Sequence, residues 1–329
     1  MRRQLDLFGA GGGPRIADRG ALEALASRLP AHVRLGTSSW TFPEWKSLVY
    51  VETDVRASDF ARSSLAEYAR HPLFRTVGID RSFYAPLAEG ELRAYAAQLP
   101  PGFRAVSKVW SELTTPVFPR HASFGARAGQ PSPRFLDAAI FTERVARPML
   151  EAFAEHAGPL VLEVPRAPTR IDPVAFADAL GRFLEKVTPA LEYAVELRDA
   201  KLLVPRYFEV LAAFGASHVF NLWTRMPPIG EQLALPGALR RETRVVARLM
   251  VPPKKKYEVL KKQWAPFDRI REVDEGMRAE VVELARRAGD LGCELFVIAN
   301  NKAEGSAPLT VRGLAEGLAE RNAHLPAGP

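Results

Sequence analysis

The sequence contains few of the residues that build disulfide frameworks or soft-metal centres. Of 329 residues only one is a cysteine, Cys293, which excludes an internal disulfide and a cysteine-rich zinc or iron–sulfur site. No two of the six histidines have the spacing that is typical of metal ligands. They are His32, His71, His121, His156, His218 and His324. We therefore predict no metal site, and the sequence identifies no cofactor.

Long apolar runs are also missing. There is no stretch of about 18 apolar residues, so we expect no membrane-spanning helix. The first residues lack the apolar core of a secretory signal, and we expect a cytoplasmic protein without a membrane partner. Glycine loops that bind phosphate are not found, since the Gly11–Gly13 run follows no predicted strand. The composition, 47% hydrophobic and 25% charged, is that of a globular protein.

Positive charge is in modest excess. The chain has 45 Lys and Arg against 38 Asp and Glu, a net charge of +7, which favours anionic partners. Part of the charge is concentrated at Lys254–Lys256, Lys261 and Lys262, with Tyr257 and Trp264 nearby. Basic residues interleaved with aromatic residues suit contacts with nucleic acid, and a solvated surface is the alternative. The expected partner is an anionic small molecule or a nucleic acid.

Strand-like apolar runs alternate with helix-like segments along most of the chain. Eight runs are predicted to be strands: Val33–Thr37, Phe74–Asp80, Phe103–Val109, Leu160–Val164, Tyr193–Arg198, His218–Leu222, Arg244–Met250 and Leu295–Asn300. About eight units over roughly 270 residues favour an α/β fold, a TIM-like (β/α) barrel of parallel strands, over an open sheet. The spacer Trp223–Arg241 is rich in proline and has little helical period, so we expect that unit to lack its helix.

The N-terminal residues differ from this pattern. We predict a flexible tail over residues 1–30 and a barrel domain over residues 31–324. Within the tail, Gln4, Leu5, Leu7 and Phe8 resemble the peptide with which bacterial DNA polymerases and repair proteins bind the sliding clamp. The glycine linker after it would let such a peptide reach a partner. The alternative is that Leu5, Leu7 and Phe8 pack back on the barrel.

Side-chain alternation along the predicted strands places a polar set on the barrel axis. One strand face must be apolar because it meets the helices, so the other face points inward. The inward residues near the carboxyl ends are Asp80, Lys108, Glu163, Glu196, Arg198, Arg248 and Asn300. Barrel enzymes have their active sites at this end. The three acids balance the three bases, so internal salt bridges that close the barrel are the alternative interpretation.

These residue types indicate acid–base or anion chemistry. Glu196 is the candidate general acid or base, with Lys108 and Asp80 as further catalytic candidates. Arg198 and Arg248 are candidates to clamp a phosphate or carboxylate, because guanidinium forks match such groups.

Other residues would support the site. Glu163 is a supporting carboxylate on the substrate side, and a magnesium ion held by carboxylates stays open. Asn300 and Asn301 either orient a substrate or turn the chain after the last strand. Trp40 either stacks on a sugar or base or packs in the core.

Six segments in chain order resemble motifs of the DUF72 family, also called YecE-like proteins. They are GTSSWTFPEWKSLVY (Gly36–Tyr50), FRTVGIDRSFYAPL (Phe74–Leu87), AVSKVWSELTTP (Ala105–Pro116), GPLVLEVP (Gly158–Pro165), AVELRD (Ala194–Asp199) and VIANNKAEGSAP (Val297–Pro308). The resemblance runs from about Val33 to Arg321 and implies a TIM-like barrel. It implies no established reaction.

The resemblance also implies which site residues are kept and which differ. Matching positions are Trp40, Tyr84, Lys108, Glu196, Arg198, Arg248, Asn300 and Asn301, and Tyr84 joins the substrate-binding candidates on this ground alone. Differing positions are Gly78, Asp80, Glu163, Asp199 and Met250, the last two standing where the family has histidine. Two hypotheses follow. One is an enzyme that acts on an anionic, phosphorylated or nucleic-acid substrate at the barrel mouth; the other is a non-catalytic DNA-maintenance protein tethered to the sliding clamp.

Overall fold

The computed structural model describes residues 18–51, 56–120 and 122–323. Eight parallel strands form one sheet in the order β1-β8-β7-β6-β5-β4-β3-β2. Their bounds are β1 Val33–Thr37, β2 Thr76–Ile79, β3 Arg104–Lys108, β4 Ala157–Val164, β5 Tyr193–Leu197, β6 Ser217–Leu222, β7 Arg244–Leu249 and β8 Glu294–Ala299. The amide of Arg75 donates to Leu35 O at 2.9 Å and brings β2 beside β1. The sheet is therefore a nearly closed barrel, and the predicted fold class is confirmed.

Helices surround the barrel. Their bounds are α1 Arg19–Ala26, α2 Ala57–Tyr68, α3 Glu89–Ala96, α4 Ser111–Thr114, α5 Ala138–Phe141, α6 Arg147–Ala152, α7 Pro173–Leu184, α8 Pro205–Ala213, α9 Ile229–Leu233, α10 Tyr257–Trp264, α11 Glu275–Asp290 and α12 Ala307–Ala323. The start of α7 follows from its sequence, because Asp172 accepts a hydrogen bond from Ala175 N at 2.8 Å and Pro173 opens the first turn. In the described part of the chain, no helix is long and apolar enough to cross a membrane.

Two apolar cores lie on the two faces of the barrel sheet. The inner core fills the barrel with Val106, Val161, Ala194, Val219, Val246, Phe296 and Ile298. The outer face contributes the residues between them, such as Leu162 and Val297, to the larger core beneath the helices. Because each such side chain is removed from water, it contributes about 1.5–3 kcal/mol. The predicted alternation of inward and outward residues is confirmed on these strands.

The unit after β6 differs from the expectation. The sequence predicts no helix there, whereas the structure forms the five-residue helix α9. Pro228 precedes it and Pro236 follows it, which keeps it short. The buried Gln232 amide donates to Asn221 O at 2.8 Å, so α9 is fixed to the strand before it.

The described chain begins in a segment that packs on the barrel. Helix α1 lies within the residues predicted as a tail, and Leu22 and Leu29 are buried in the outer core. The peptide residues Gln4, Leu5, Leu7 and Phe8 lie outside the described residues. Whether they bind a clamp stays a prediction.

The seam between β1 and β2 requires glycine. A Cβ atom on Gly36 would lie 2.0 Å from Thr76 O, a backbone atom that cannot move away cheaply. We expect Gly36→Ala to lower the free energy of unfolding by about 3 kcal/mol or more, measured by chemical denaturation. The control is Gly90→Ala in α3, where an added Cβ meets nothing within 4 Å and helix propensity favours alanine. Equal stability of the two variants would contradict the tight seam.

Candidate active site at the carboxyl end of the barrel

A polar layer lies directly above the inner core. Its members are each two residues beyond an inner-core residue, so they share its face: Lys108, Glu163, Glu196, Asn221 and Arg248. The strands bring all five to the carboxyl ends of β3 to β7. Asp80 and Arg198 follow β2 and β5 immediately and join the same layer.

Arg248 connects opposite sides of the barrel. Its Nη1 donates to Glu196 Oε2 at 2.7 Å, and its Nη2 lies 3.0 and 2.9 Å from Asp80 Oδ1 and Oδ2. The side chain is 1% exposed, and Glu196 is fully buried. Burial would lower the pKa of Arg248, but Asp80 and Glu196 raise it above its ordinary value. The guanidinium is therefore a permanent positive centre of this layer.

Glu163 is the shared acceptor of the layer. Its Oε2 lies 2.8 Å from Lys108 Nζ, 3.0 Å from Arg198 Nη2 and 3.6 Å from Arg248 Nη1. Burial would raise the pKa of Glu163, but the three cations hold it well below its ordinary value. The carboxylate is thus ionised at any physiological pH. The register pairs Glu163 with Glu196 across β4 and β5, and Arg198 lies between them with Nη2 2.7 Å from Glu196 Oε1.

Arg198 keeps unused hydrogen-bond donors. Nη2 contacts Glu163 and Glu196, whereas the buried Nε and Nη1 have no hydrogen-bond partner in the part of the chain that the structure describes. The Cζ atom of the guanidinium lies over the Trp223 ring, 3.9 Å from its centre. Because a buried unpaired N–H is costly, these donors are candidates to bind a ligand.

The two asparagines organise the chain after β8. Asn300 Nδ2 donates to Ser38 Oγ at 2.8 Å, and Asn300 Oδ1 accepts from Lys302 N at 3.0 Å. Asn301 Oδ1 accepts from Ala307 N at 2.8 Å, at the start of α12. Both side chains therefore hold the turn, one of the two roles that the sequence left open.

The aromatic candidates occupy different environments. Trp40 is buried in the outer core with Tyr95 against it, the ring centres 5.1 Å apart, so it does not line the open mouth. Tyr84 is 79% exposed and lies edge-on to Phe83. Phe83 in turn lies beneath Lys108, with Nζ 4.5 Å from its ring centre. Tyr84 is thus at the rim, and Phe83 supports the site.

Residues 250–267, which we call the mouth cover, lie over the charged layer. Their apolar cluster comprises Met250, Val251, Leu260, Trp264 and Phe267, and it packs against Phe42 and Trp223. The lysines of this segment are on its outer side, and Lys254, Lys256, Lys261 and Lys262 are exposed. The basic stretch is therefore a surface above the site.

Lys302 belongs to the site although the sequence analysis did not select it. It is 4% exposed, and its Nζ lies 3.4 Å from Asn300 Oδ1 and 4.2 and 5.2 Å from the ring centres of Tyr257 and Phe267. Burial, aided by Lys261, lowers the pKa of Lys302 to about 8. Its position two residues after the inward Asn300 was the available signal.

A groove and a small cavity lie beside the layer, on the side of Lys108. A groove of about 320 Å³ is lined by Pro86, Trp110, Arg134, Ile140, Glu143 and Arg144. It shares Trp110 and Arg144 with a small cavity of about 20 Å³ that reaches Lys108. Within the described residues, no group of three or more His, Cys, Asp or Glu is placed to hold a metal. The carboxylates of the layer contact cationic side chains of the protein itself.

The family model described as "Protein of unknown function DUF72" matches residues 34–329. The chain belongs to the DUF72 family. Two crystal structures of a DUF72 family protein from Enterococcus faecalis V583 are 16% and 17% identical to it, cover 87% and 90% of this chain and 97% of their own, and have TM-scores of 0.57 and 0.59. A DUF72 family protein from Thermotoga maritima MSB8 is 20% identical, covers 87% of this chain and 98% of its own, and has a TM-score of 0.55. At these identities the likeness concerns the fold. A comparison with curated proteins gives no match.

The ionised Glu163 predicts an acid-dependent contribution to stability of this DUF72 barrel. Its folded pKa is lowered, so the contribution is complete above the unfolded value of about 4.3 and decreases as pH falls below it. We expect Glu163→Gln to lower the free energy of unfolding at pH 7 by about 3 kcal/mol, because three buried cations lose their shared partner. Chemical denaturation at several pH values should show that the free energies of unfolding of the unchanged protein and of Glu163→Gln approach each other as the pH falls below about 4.3.

The control is Glu283→Gln on the surface of α11. Arg286 and Arg287 lower the pKa of Glu283 to about 2, yet a surface pair of this kind contributes no more than about 1 kcal/mol. If Glu163→Gln lowered the free energy of unfolding as little as Glu283→Gln does, the stability of the layer would not depend on the Glu163 carboxylate.

Proposed function

We propose that the barrel mouth is the active site of an enzyme that acts on a phosphate ester, either a small molecule or a nucleic-acid phosphate. The observation that carries this is Arg198, whose Nε and Nη1 are buried and have no hydrogen-bond partner among the described residues. Guanidinium N–H groups bind phosphate oxygens in pairs, and the cation–π contact with Trp223 would help to orient the group. A phosphate at this position would satisfy donors that the protein leaves unpaired.

The charge of the mouth supports an anionic ligand. The layer itself is neutral, with three carboxylates against three cations. Lys302 adds one positive charge and has no carboxylate within 4.0 Å among the described residues. Around the rim, exposed lysines of the mouth cover and the exposed Tyr84 would favour a longer phosphate chain with bases to stack.

In this proposal the side chains of the layer have different roles in acid–base chemistry, substrate binding and positioning. Asp80 is the most exposed of its carboxylates, with 25% of the side chain accessible, and is the acid–base group in this proposal. Lys108, 3.8 Å from Asp80, holds the substrate anion with Arg198. Glu196, which the sequence predicts as the acid or base, is fully buried between two arginines and here positions them.

The substrate would approach past Lys108. The groove and the small cavity at that lysine share Pro86, Trp110 and Arg144, and the cavity of about 20 Å³ would have to widen to admit a substrate. Movement of the mouth cover would open the larger route to Arg198, because Trp223 packs against both. The cover would then exclude water from the bound substrate.

The test measures phosphate binding and substrate turnover separately. Binding of inorganic phosphate, ribose 5-phosphate and a short single-stranded oligonucleotide is measured by calorimetry, and conversion by phosphorus NMR. We expect Arg198→Met to weaken binding at least tenfold, since it removes charge-assisted hydrogen bonds. Asp80→Asn should keep binding and lose conversion.

The matched control is Arg206→Met in α8, an exposed arginine paired with Asp178 and Glu209. It should bind as the unchanged protein does. Equal binding by the Arg198 and Arg206 variants would remove the anion site from Arg198, and conversion by Asp80→Asn at the full rate would remove the acid–base role.

A second candidate function is attachment to the sliding clamp, which rests on the pattern of Gln4, Leu5, Leu7 and Phe8 alone. A pull-down with purified clamp compares the full chain with the double variant Leu7→Ala/Phe8→Ala. We expect the full chain to be retained and the variant lost, because the two apolar side chains would fill the clamp pocket. Equal retention of both would reject the tether.

A further inference from the structure

Lys302 differs from the other cations of the mouth. Lys108, Arg198 and Arg248 each contact carboxylates at 3.0 Å or less. Among the described residues, the polar and aromatic partners of Lys302 Nζ are a neutral amide oxygen and two aromatic rings. Because no carboxylate of the described residues lies within 4.0 Å, its charge is compensated only weakly.

The surroundings of the amine shift its protonation equilibrium towards the neutral form. Tyr257 and Phe267 of the mouth cover enclose Nζ, and the positive field of Lys261 acts on it from the same segment. Glu258 and Asp80 act in the opposite direction but do not offset burial. A desolvated lysine without an ion-pair partner is the form in which this side chain is nucleophilic.

The amine of Lys302 lies at the same end of the barrel as the charged layer. Lys302 follows β8, and β1 separates that strand from β2, whose end bears Asp80. The phosphate that we place at Arg198 would hold a substrate within the same mouth. Asn300 Oδ1 accepts from Nζ at 3.4 Å and aims it from the end of the strand.

We propose that Lys302 is an imine-forming lysine, and that the substrate of the mouth carries an aldehyde or ketone in addition to its phosphate. The place of the substrate rests on the proposed function, whereas the reactivity of Lys302 does not depend on it. The amine is a catalytic residue in this scheme, because it bonds to the carbonyl carbon.

The step balances without an oxidant or a metal. The Nζ lone pair forms a C–N bond, and the two carbonyl C–O bonds break in turn. The oxygen leaves as water with two protons, one from Nζ and one taken up from solvent, which is the proton that the ammonium form of Lys302 released when it became the neutral amine. The product is a protonated imine at Lys302. Opening of the cover at Tyr257 would admit the carbonyl group.

Reductive trapping tests the proposal on the full chain. The protein is incubated at pH 7 with glycolaldehyde phosphate or glycolaldehyde, treated with borohydride, and the modified lysines are identified by peptide mass spectrometry. Borohydride delivers hydride to an imine and makes the bond permanent. Because burial lowers the pKa of Lys302 to about 8, this side chain at pH 7 holds roughly 200-fold more neutral amine than a lysine with the ordinary pKa of about 10.4.

We expect the yield of adduct at Lys302 to exceed that at Lys261 by tenfold or more, and we expect Tyr257→Ala to accelerate formation of the Lys302 adduct by uncovering Nζ.

The control is Lys302→Met, which should lose this adduct while its far-ultraviolet spectrum is unchanged. Preference for the phosphorylated probe, abolished in Arg198→Met, would link the amine to the anion site. Equal labelling of Lys302 by both probes would support the reactivity of Lys302 and count against an anion site at Arg198. Modification of Lys302 no greater than that of Lys261, in the Tyr257 variant as well, would overturn the proposal.

Discussion

Mutual pairing of buried charges is the constraint on which this barrel depends. Three carboxylates and three cations are withdrawn from water above an apolar interior, and an isolated ion there would be strongly unfavourable. Arg248 accordingly extends from β7 to Glu196 and Asp80, and Glu163 forms ion pairs with three cations. This mutual neutralisation sets the geometry of the mouth, because each charged side chain is held in place by its partners.

The barrel and most of this layer could be predicted from the sequence, because strand side chains alternate with a period of two and the outer face must be apolar. The inward position of Asn221 could not be predicted in this way, for a physical reason. Its strand also carries His218, a polar residue on the opposite face, which is buried beside Tyr207 and Gln232. With polar groups on both faces, polarity no longer identifies the inward side.

The remaining features depend on contacts between distant residues. Lys302 became a site residue only when Tyr257 and Phe267 were placed around it, and nothing in the local pattern states how the connection after β7 folds. Trp40 shows the converse. Its residue type suits stacking at a mouth, but packing against Tyr95 is decided by tertiary structure. The helix α9 forms between prolines because Gln232 satisfies backbone groups that periodicity does not reveal.

The mouth cover is one uninterrupted piece of chain between β7 and α11. Just after it, the amide of Arg271 donates to Glu304 O at 2.7 Å, while the carboxylate of Glu304 accepts from Asp274 N and Arg278. None of the ion pairs within the charged layer runs through it. The mouth cover could therefore be exchanged for another segment between β7 and α11 without removing any of these ion pairs, so the surface at this end of the barrel can vary independently of the charged layer.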